Sequence, residues 1–199
     1  MRIFAIRDEA NPDNREIAFL LYYEQDKRFY IELPENADPW QTPLLLSSFL
    51  KRGEHTVNAY WSRVWVQQRI VPSDRQNLGQ ILKDNGLATY DEFELLLLAE
   101  GRCAQDDYYL EPVAEADLPE NFLARFQKKV EDVVSLTQNQ ILVFFRDGKI
   151  KKCDLRELFA NDRTFSMVGK NEKLFRGVDI QPGGYGVCWG DELNIADSD

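Results

Sequence analysis

Histidine is nearly absent from this chain, since His55 is its one imidazole. That excludes a multi-histidine metal site and any Ser-His-Asp triad built on another histidine. No G-x-S-x-G elbow is present to serve His55, which reads as a solvated residue of a polar turn between helices. Cysteine is scarce as well. Cys103, Cys153 and Cys188 are odd in number, far apart and free of C-x-x-C spacing, so neither a disulfide framework nor a zinc site is suggested and three reduced thiols are expected. A phosphate loop of the G-x-x-x-x-G-K-[ST] type is missing, and the cluster Gly183-Gly184-Tyr185-Gly186, with no helix after it to bind an anion, reads as a turn. No apolar run approaches the ~20 residues that span a bilayer. No basic-then-apolar stretch opens the chain, and repeats and low-complexity tracts are lacking. The expectation is a cytoplasmic protein with no cofactor and no membrane partner.

What is present is enough for a folded core. The chain has 199 residues, 44% of them hydrophobic, which suits one large domain or two small ones. Its 34 acidic and 24 basic residues leave a formal charge of −10, which argues against a surface built throughout for nucleic acid. A local basic patch stays compatible with that balance.

The clearest structural signal lies at residues 141–155, ILVFFRDGKIKKCDL. Asp147-Gly148 between two runs of strand formers predicts a β-hairpin with a two-residue type I′ turn. In that register Phe145 faces Ile150, Phe144 faces Lys151, Val143 faces Lys152 and Leu142 faces Cys153. The first strand is apolar on both faces and belongs inside a sheet; the second carries three lysines and belongs nearer an edge. Upstream, the runs 3–6, 16–24 and 28–33 predict a small antiparallel sheet, with Phe29, Ile31 and Leu33 on the buried face of a half-buried strand. Pro34 ends it.

Helices follow. Thr42-Pro43 opens one that closes at Gly53, and Asn58 caps the next, which runs through Trp61 and Trp65 until Val71-Pro72. Ser73 with Gln76 and Thr89 with Glu92 form capping boxes for two more, the last containing four consecutive leucines, 95–98, and expected beneath the sheet or at an interface. A short helix near Leu118, with Asp117 and Glu120 as its capping pair, joins two halves, and strands are expected at 130–136, 174–180 and 185–189. The fold class is therefore α+β: an N-terminal antiparallel hairpin sheet with a helical segment over residues 1–128, then a small C-terminal α+β domain with an antiparallel sheet over 129–199.

The succession FFRDGK, CDLRELF, Phe165, LFRGVDI, a glycine turn and CWGDELNI resembles the small bacterial domain of unknown function catalogued as DUF two-four-four-two. The resemblance covers residues 129–199 and leaves 1–128 unassigned. It implies a compact α+β domain without enzymatic activity and a regulatory or antitoxin-like accessory role. Chains of this kind are expected to continue into a helix-turn-helix beyond residue 199.

Candidate sites are few. Tyr60, Trp61 and Trp65 interleaved with Arg63, Arg69 and Arg75 could grip a nucleic-acid strand or a partner by charge and stacking. On one helix, however, Trp61 and Trp65 share a face that Arg63 does not, the pattern of core tryptophans. Residues 76–98 have a helix-turn-helix outline, but the second helix is acidic and leucine-rich, wrong for facing phosphates. Asp106, Asp107 and Glu111, or Asp191 and Glu192, could hold a divalent ion or act as an acid–base pair, although Asp106 and Asp107 would diverge on a strand. The leading expectation is a non-enzymatic regulatory module that binds a protein partner or itself. The alternatives are a DNA-binding regulator, with Trp61, Arg63, Trp65, Arg69 and Arg75 as its contacts, and a carboxylate-dependent hydrolase.

Overall fold

The computed structural model describes residues 1–11, 13, 16–190 and 193–196, and the chain divides into two units, Met1–Leu118 and Pro119–Asp199. Its class is α+β, as the patterning predicts.

The first unit is built on a five-stranded antiparallel sheet. Strands β1 (Arg2–Asp8), β2 (Ala18–Tyr23) and β3 (Arg28–Glu32) form its centre. Then come α1 (Leu44–Leu50), β4 (Thr56–Val57), α2 (Ala59–Gln67), α3 (Leu78–Asp84), α4 (Glu92–Leu98) and the returning strand β5 (Tyr108–Pro112). The order is β4-β3-β2-β1-β5, so the last strand pairs with the first. Phe4 opposite Leu20 and Leu20 opposite Ile31 put one apolar row on a common face, continued by Tyr22 opposite Phe29. Helices cover that face with Leu46 and Phe49 of α1, Trp65 and Val66 of α2, and Phe93, Leu95 and Leu96 of α4, forming one continuous core.

Residues 28–33 depart from the half-buried pattern. Tyr30 and Glu32 are buried as well as Phe29, Ile31 and Leu33, because both faces of β3 are withdrawn from water. Glu32 accepts a hydrogen bond from the Thr56 hydroxyl at 3.0 Å, which satisfies part of its buried carboxylate.

Helix punctuation holds in some places and fails in others. Asn58 caps α2 through a 3.1 Å bond from the Trp61 amide, as expected. The Ser73–Gln76 box is unused, since α3 starts after Asn77 without a side-chain cap. Asp91 rather than Thr89 caps α4, accepting from the amides of Phe93 and Glu94. A carboxylate at that position satisfies two orphan donors and complements the helix dipole, which a threonine two residues earlier cannot do.

The second unit begins with α5 (Glu120–Gln127), so the division falls ahead of this helix rather than behind it at residue 128. Pro119 stands at its N-cap with no side-chain cap, in place of the Asp117–Glu120 pair. The Arg146 guanidinium lies 4.5 Å over the Phe126 ring and the Arg146 amide donates to the Lys129 carbonyl at 3.0 Å, tying α5 to the hairpin downstream. Next come β6 (Val130–Ser135), β7 (Gln140–Phe145), β8 (Ile150–Asp154), α6 (Arg156–Asn161), α7 (Ser166–Lys170), α8 (Glu172–Arg176), β9 (Asp179–Ile180), β10 (Gly186–Trp189) and β11 (Leu193–Ala196). They form two three-stranded antiparallel sheets rather than one, in the orders β6-β7-β8 and β11-β10-β9.

The central hairpin is present, with β7 inside its sheet and β8 at the edge, but its register is one residue off the expected one. Phe144 faces Ile150, Val143 faces Lys151, Leu142 faces Lys152 and Ile141 faces Cys153. A type I′ turn needs positive φ at both central residues, and Asp147 does not adopt it; only Gly148 does, at 82°. The Gly148 amide donates to the Phe145 carbonyl and the Phe145 amide to the Lys149 carbonyl, each at 2.9 Å, which is a three-residue loop with a glycine bulge.

Residues 174–180 are also corrected. They are not one strand: Asn171 accepts from the Leu174 amide at 3.1 Å and starts α8, leaving only β9 extended. The helix delivers Phe175 against Trp189, whose indole N–H donates to the Phe175 carbonyl at 2.9 Å. Phe159 and Phe165 meet the Trp189 ring edge-on. Gly184, at φ 77°, approaches β6 so closely that a β-carbon would lie 2.4 Å from the Val130 carbonyl oxygen, which is why the turn before β10 has glycine there.

Candidate partner-binding surface

Helix α2 and the turn after it separate the five candidate residues. Trp65 is 1% exposed and part of the sheet-covering core. Arg69, just past the helix end, stacks 3.7 Å over the Trp65 ring, donates to the Trp65 carbonyl at 3.3 Å and reaches Asp106 at 2.5 Å. It is a buried cation held by an aromatic face and a carboxylate. Burial pulls the Arg69 guanidinium below its usual range, and the charge of Asp106 opposes that pull. The Trp65 indole N–H and the Arg69 Nε are buried with no hydrogen-bond partner among the described residues.

Arg63 lies on the outer side of the helix. It forms a two-pronged pair with Glu92 at 2.8 and 2.9 Å, and Gln67 donates to the same carboxylate at 2.9 Å. Burial pushes the Glu92 carboxyl up, but the hydrogen bonds from Arg63 and Gln67 outweigh it and hold the group below its usual range. Arg75 is exposed and bonded to the Asn77 side chain at 3.0 Å. Trp61 is 39% exposed and meets Tyr60 edge-on at 5.1 Å. Core packing therefore takes Trp65 and Arg69 out of any surface patch, and Trp61, Arg63 and Arg75 remain outside.

The other candidates are also placed. Asp106 is engaged by Arg69 and Glu111 by Arg7, while Asp107 is exposed. Asp191 and Glu192 lie outside the described residues. Among the described residues, no group of three or more His, Cys, Asp or Glu side chains is gathered as for a metal ion. His55 is half-buried rather than solvated: its carbonyl accepts from the Leu33 amide at 2.7 Å as β3 ends, which draws the turn against the sheet. The leucine row of α4 is largely absorbed by the core, since Leu95 and Leu96 are buried and Leu97 packs against them; of the four, Leu98 alone is exposed.

The surface feature that sequence reasoning missed precedes these residues. Trp40 is 87% exposed and Leu44 86%, and Tyr60 follows at 68%. The Trp40 loop is ordered by its own polar groups. Asp38 accepts from the Trp40 amide at 2.8 Å, the Thr42 hydroxyl donates to the Asp38 carbonyl at 2.8 Å, and the Lys51 ammonium sits 5.2 Å over the indole. A signal was there to read: tryptophan in the polar, proline-flanked stretch DPWQTP has no apolar periodicity to carry it inward.

No family model matches the chain, and neither any curated protein nor any solved structure does. Among the described residues no helix is long and apolar enough to cross a membrane.

Proposed function

We propose that this chain is a non-enzymatic accessory or regulatory module that works by holding a protein partner through the aromatic surface of its first unit. One observation carries the reading: Trp40 and Leu44 stand almost fully exposed on a loop and helix start that Asp38, Thr42 and Lys51 hold in shape. A tryptophan presented this way loses little conformational freedom on binding and belongs to the residue types most often found as anchors of protein interfaces, with Leu44 adding apolar area beside it in the chain. Tyr60 and Trp61 extend the supply of exposed aromatic area within the same unit. The regulatory or antitoxin-like character belongs to this proposal through the resemblance of residues 129–199.

Tagged full-length chain is used to capture partners from a lysate of its own source, with and without nuclease. A stoichiometric protein that survives nuclease, and is lost when Trp40 and Leu44 become Ala but kept when Arg63 and Arg75 become Ala, is the expected result. Truncating an anchor residue should weaken the complex by about 2 kcal/mol or more. Retention of every partner by the Trp40→Ala, Leu44→Ala variant would remove the reading. Co-purifying nucleic acid lost with Arg63 and Arg75 would replace it with the DNA-binding one.

A further inference from the structure

The second unit contains a cleft of about 120 Å³ between its two sheets, in a part of the chain separate from the aromatic surface. Its walls come from β6 and β7 on one side (Val130, Ile141, Val143, Phe145) and from Val187 and Ile195 of β10 and β11 on the other. The cleft opens to solvent on one side, and a concavity lined mainly by apolar side chains with a few polar groups is the usual shape of a small-molecule site.

Strand β8 supplies the polar side. Lys151 pairs with Val143 and Cys153 with Ile141, which places both on the inner face, and both line the cleft. Ile150 is turned outward and is 61% exposed. The strand thus shows a lysine to the apolar side and an isoleucine to water, the reverse of ordinary patterning. An inward lysine on an edge strand can guard against strand pairing, but that does not account for the apolar space beside it. Lys151 is exposed overall, so its stem can lie along the wall with the ammonium at the mouth, and it forms no ion pair among the described residues. In a chain of net charge −10, the run 149–152 places three lysines on and beside this strand.

We propose that the cleft is a binding site for a small carboxylic acid with an apolar tail, the tail lying among Val143, Val187 and their neighbours and the carboxylate meeting the Lys151 ammonium. An apolar cavity of roughly 150 Å³ holds a benzene molecule, so the tail is on the order of six carbons.

The test uses the full chain with hexanoate and hexan-1-ol as probes, read by backbone amide NMR shifts. Hexanoate is expected to bind saturably and to move the amides of Val143, Lys151 and Val187. Lys151→Met should weaken hexanoate roughly fivefold, as an exposed ion pair is worth at most about 1 kcal/mol, and should leave hexan-1-ol unchanged. Val187→Phe should abolish both by filling the space. A readout that needs no variant is the alkylation of Cys153, followed by mass spectrometry of its peptide, which saturating hexanoate should slow several-fold. Absence of saturable binding by either probe would overturn the site. Hexanoate affinity indifferent to Lys151→Met, or Cys153 alkylation indifferent to hexanoate, would overturn the assignment of an acid held there.

Discussion

The two units meet the same problem, a polar group on an apolar face, in opposite ways. In the first, inward-facing polar groups are engaged by the protein itself: Arg69 is clasped between the Trp65 ring and the Asp106 carboxylate, and Glu32 accepts a hydrogen bond from the Thr56 hydroxyl. In the second, Lys151 faces the inner side of its sheet beside unfilled apolar space, with no ion partner among the described residues. Pairing makes a charge part of the fold, because removing one partner strands the other in low dielectric. An unpaired charge that reaches water costs the fold little and stays available to a ligand.

That contrast can be broken most directly at Asp106. Asp106→Ala should cost about 3–5 kcal/mol, since the Arg69 side chain is 1% exposed and would lose the carboxylate that faces it. Hydrogen exchange followed separately for peptides of each unit should show the loss in the first unit. A loss under about 1 kcal/mol would mean that the cation–π contact and water suffice to hold Arg69. The second unit has its own rigid point, which is backbone rather than charge. Gly184→Ala should cost about 1–3 kcal/mol, because φ at 77° disfavours a β-carbon and that carbon would collide with the Val130 carbonyl. Denaturant midpoints measure it, and a neutral outcome would show that the turn before β10 can shift.

Acid separates the units on a finer scale. Glu92 is held below its usual range, so its contribution is fully present above its unfolded value near 4.5 and is lost as pH falls through the lower, folded value. The first unit should therefore weaken below about pH 4.5, by less than about 1 kcal/mol for this pair, and Glu92→Gln should remove that part of the slope. Asp154 in the second unit is also lowered, by Arg156, but its side chain is far more exposed. High salt should erase the effect at Asp154 and spare more of the one at Glu92, whose side chain is 17% exposed. Urea melts against pH at two ionic strengths check both.

How much of this was legible depends on how local its cause is. Asn58 is a cap because of its own side chain and the next three residues, and it reads correctly from sequence. The 141–155 hairpin is legible as a hairpin, yet its register turns on whether Asp147 or only Gly148 takes positive φ, a difference of one dihedral angle that Asp-Gly does not decide alone. At 174–180 the strand formers Phe175 and Val178 suggest a strand, whereas in the folded chain Asn171 caps a helix that brings Phe175 to Trp189. The division of the arginines was foreseeable only in part. Helical spacing moves Trp65 inward, but that Arg69 follows it depends on Asp106, thirty-seven residues away. The cleft is the least legible feature, since its walls belong to five strands of two sheets and exist only once β10 has paired with β9 and β11.

The smallest expected effect is the sharpest test of the contrast. Lys151→Met replaces a lysine on an edge strand by an apolar residue of similar length, facing Val143 across the pair. If Lys151 were part of the fold as Arg69 is, its loss would destabilise the second unit by several kcal/mol. If its ammonium is simply kept at the mouth of an apolar cleft, stability should change by no more than about 0.5 kcal/mol, because a methionine of similar length covers the same stretch of wall as the lysine stem. The same substitution raises the apolar content of an exposed edge strand that already presents Ile150, so concentration-dependent association should increase. Unchanged unfolding midpoints together with a greater tendency to self-associate would identify Lys151 as a charge that costs the fold little and is kept for what it holds off or holds on to; a large loss of stability would place it with Arg69 and dissolve the distinction between the two units.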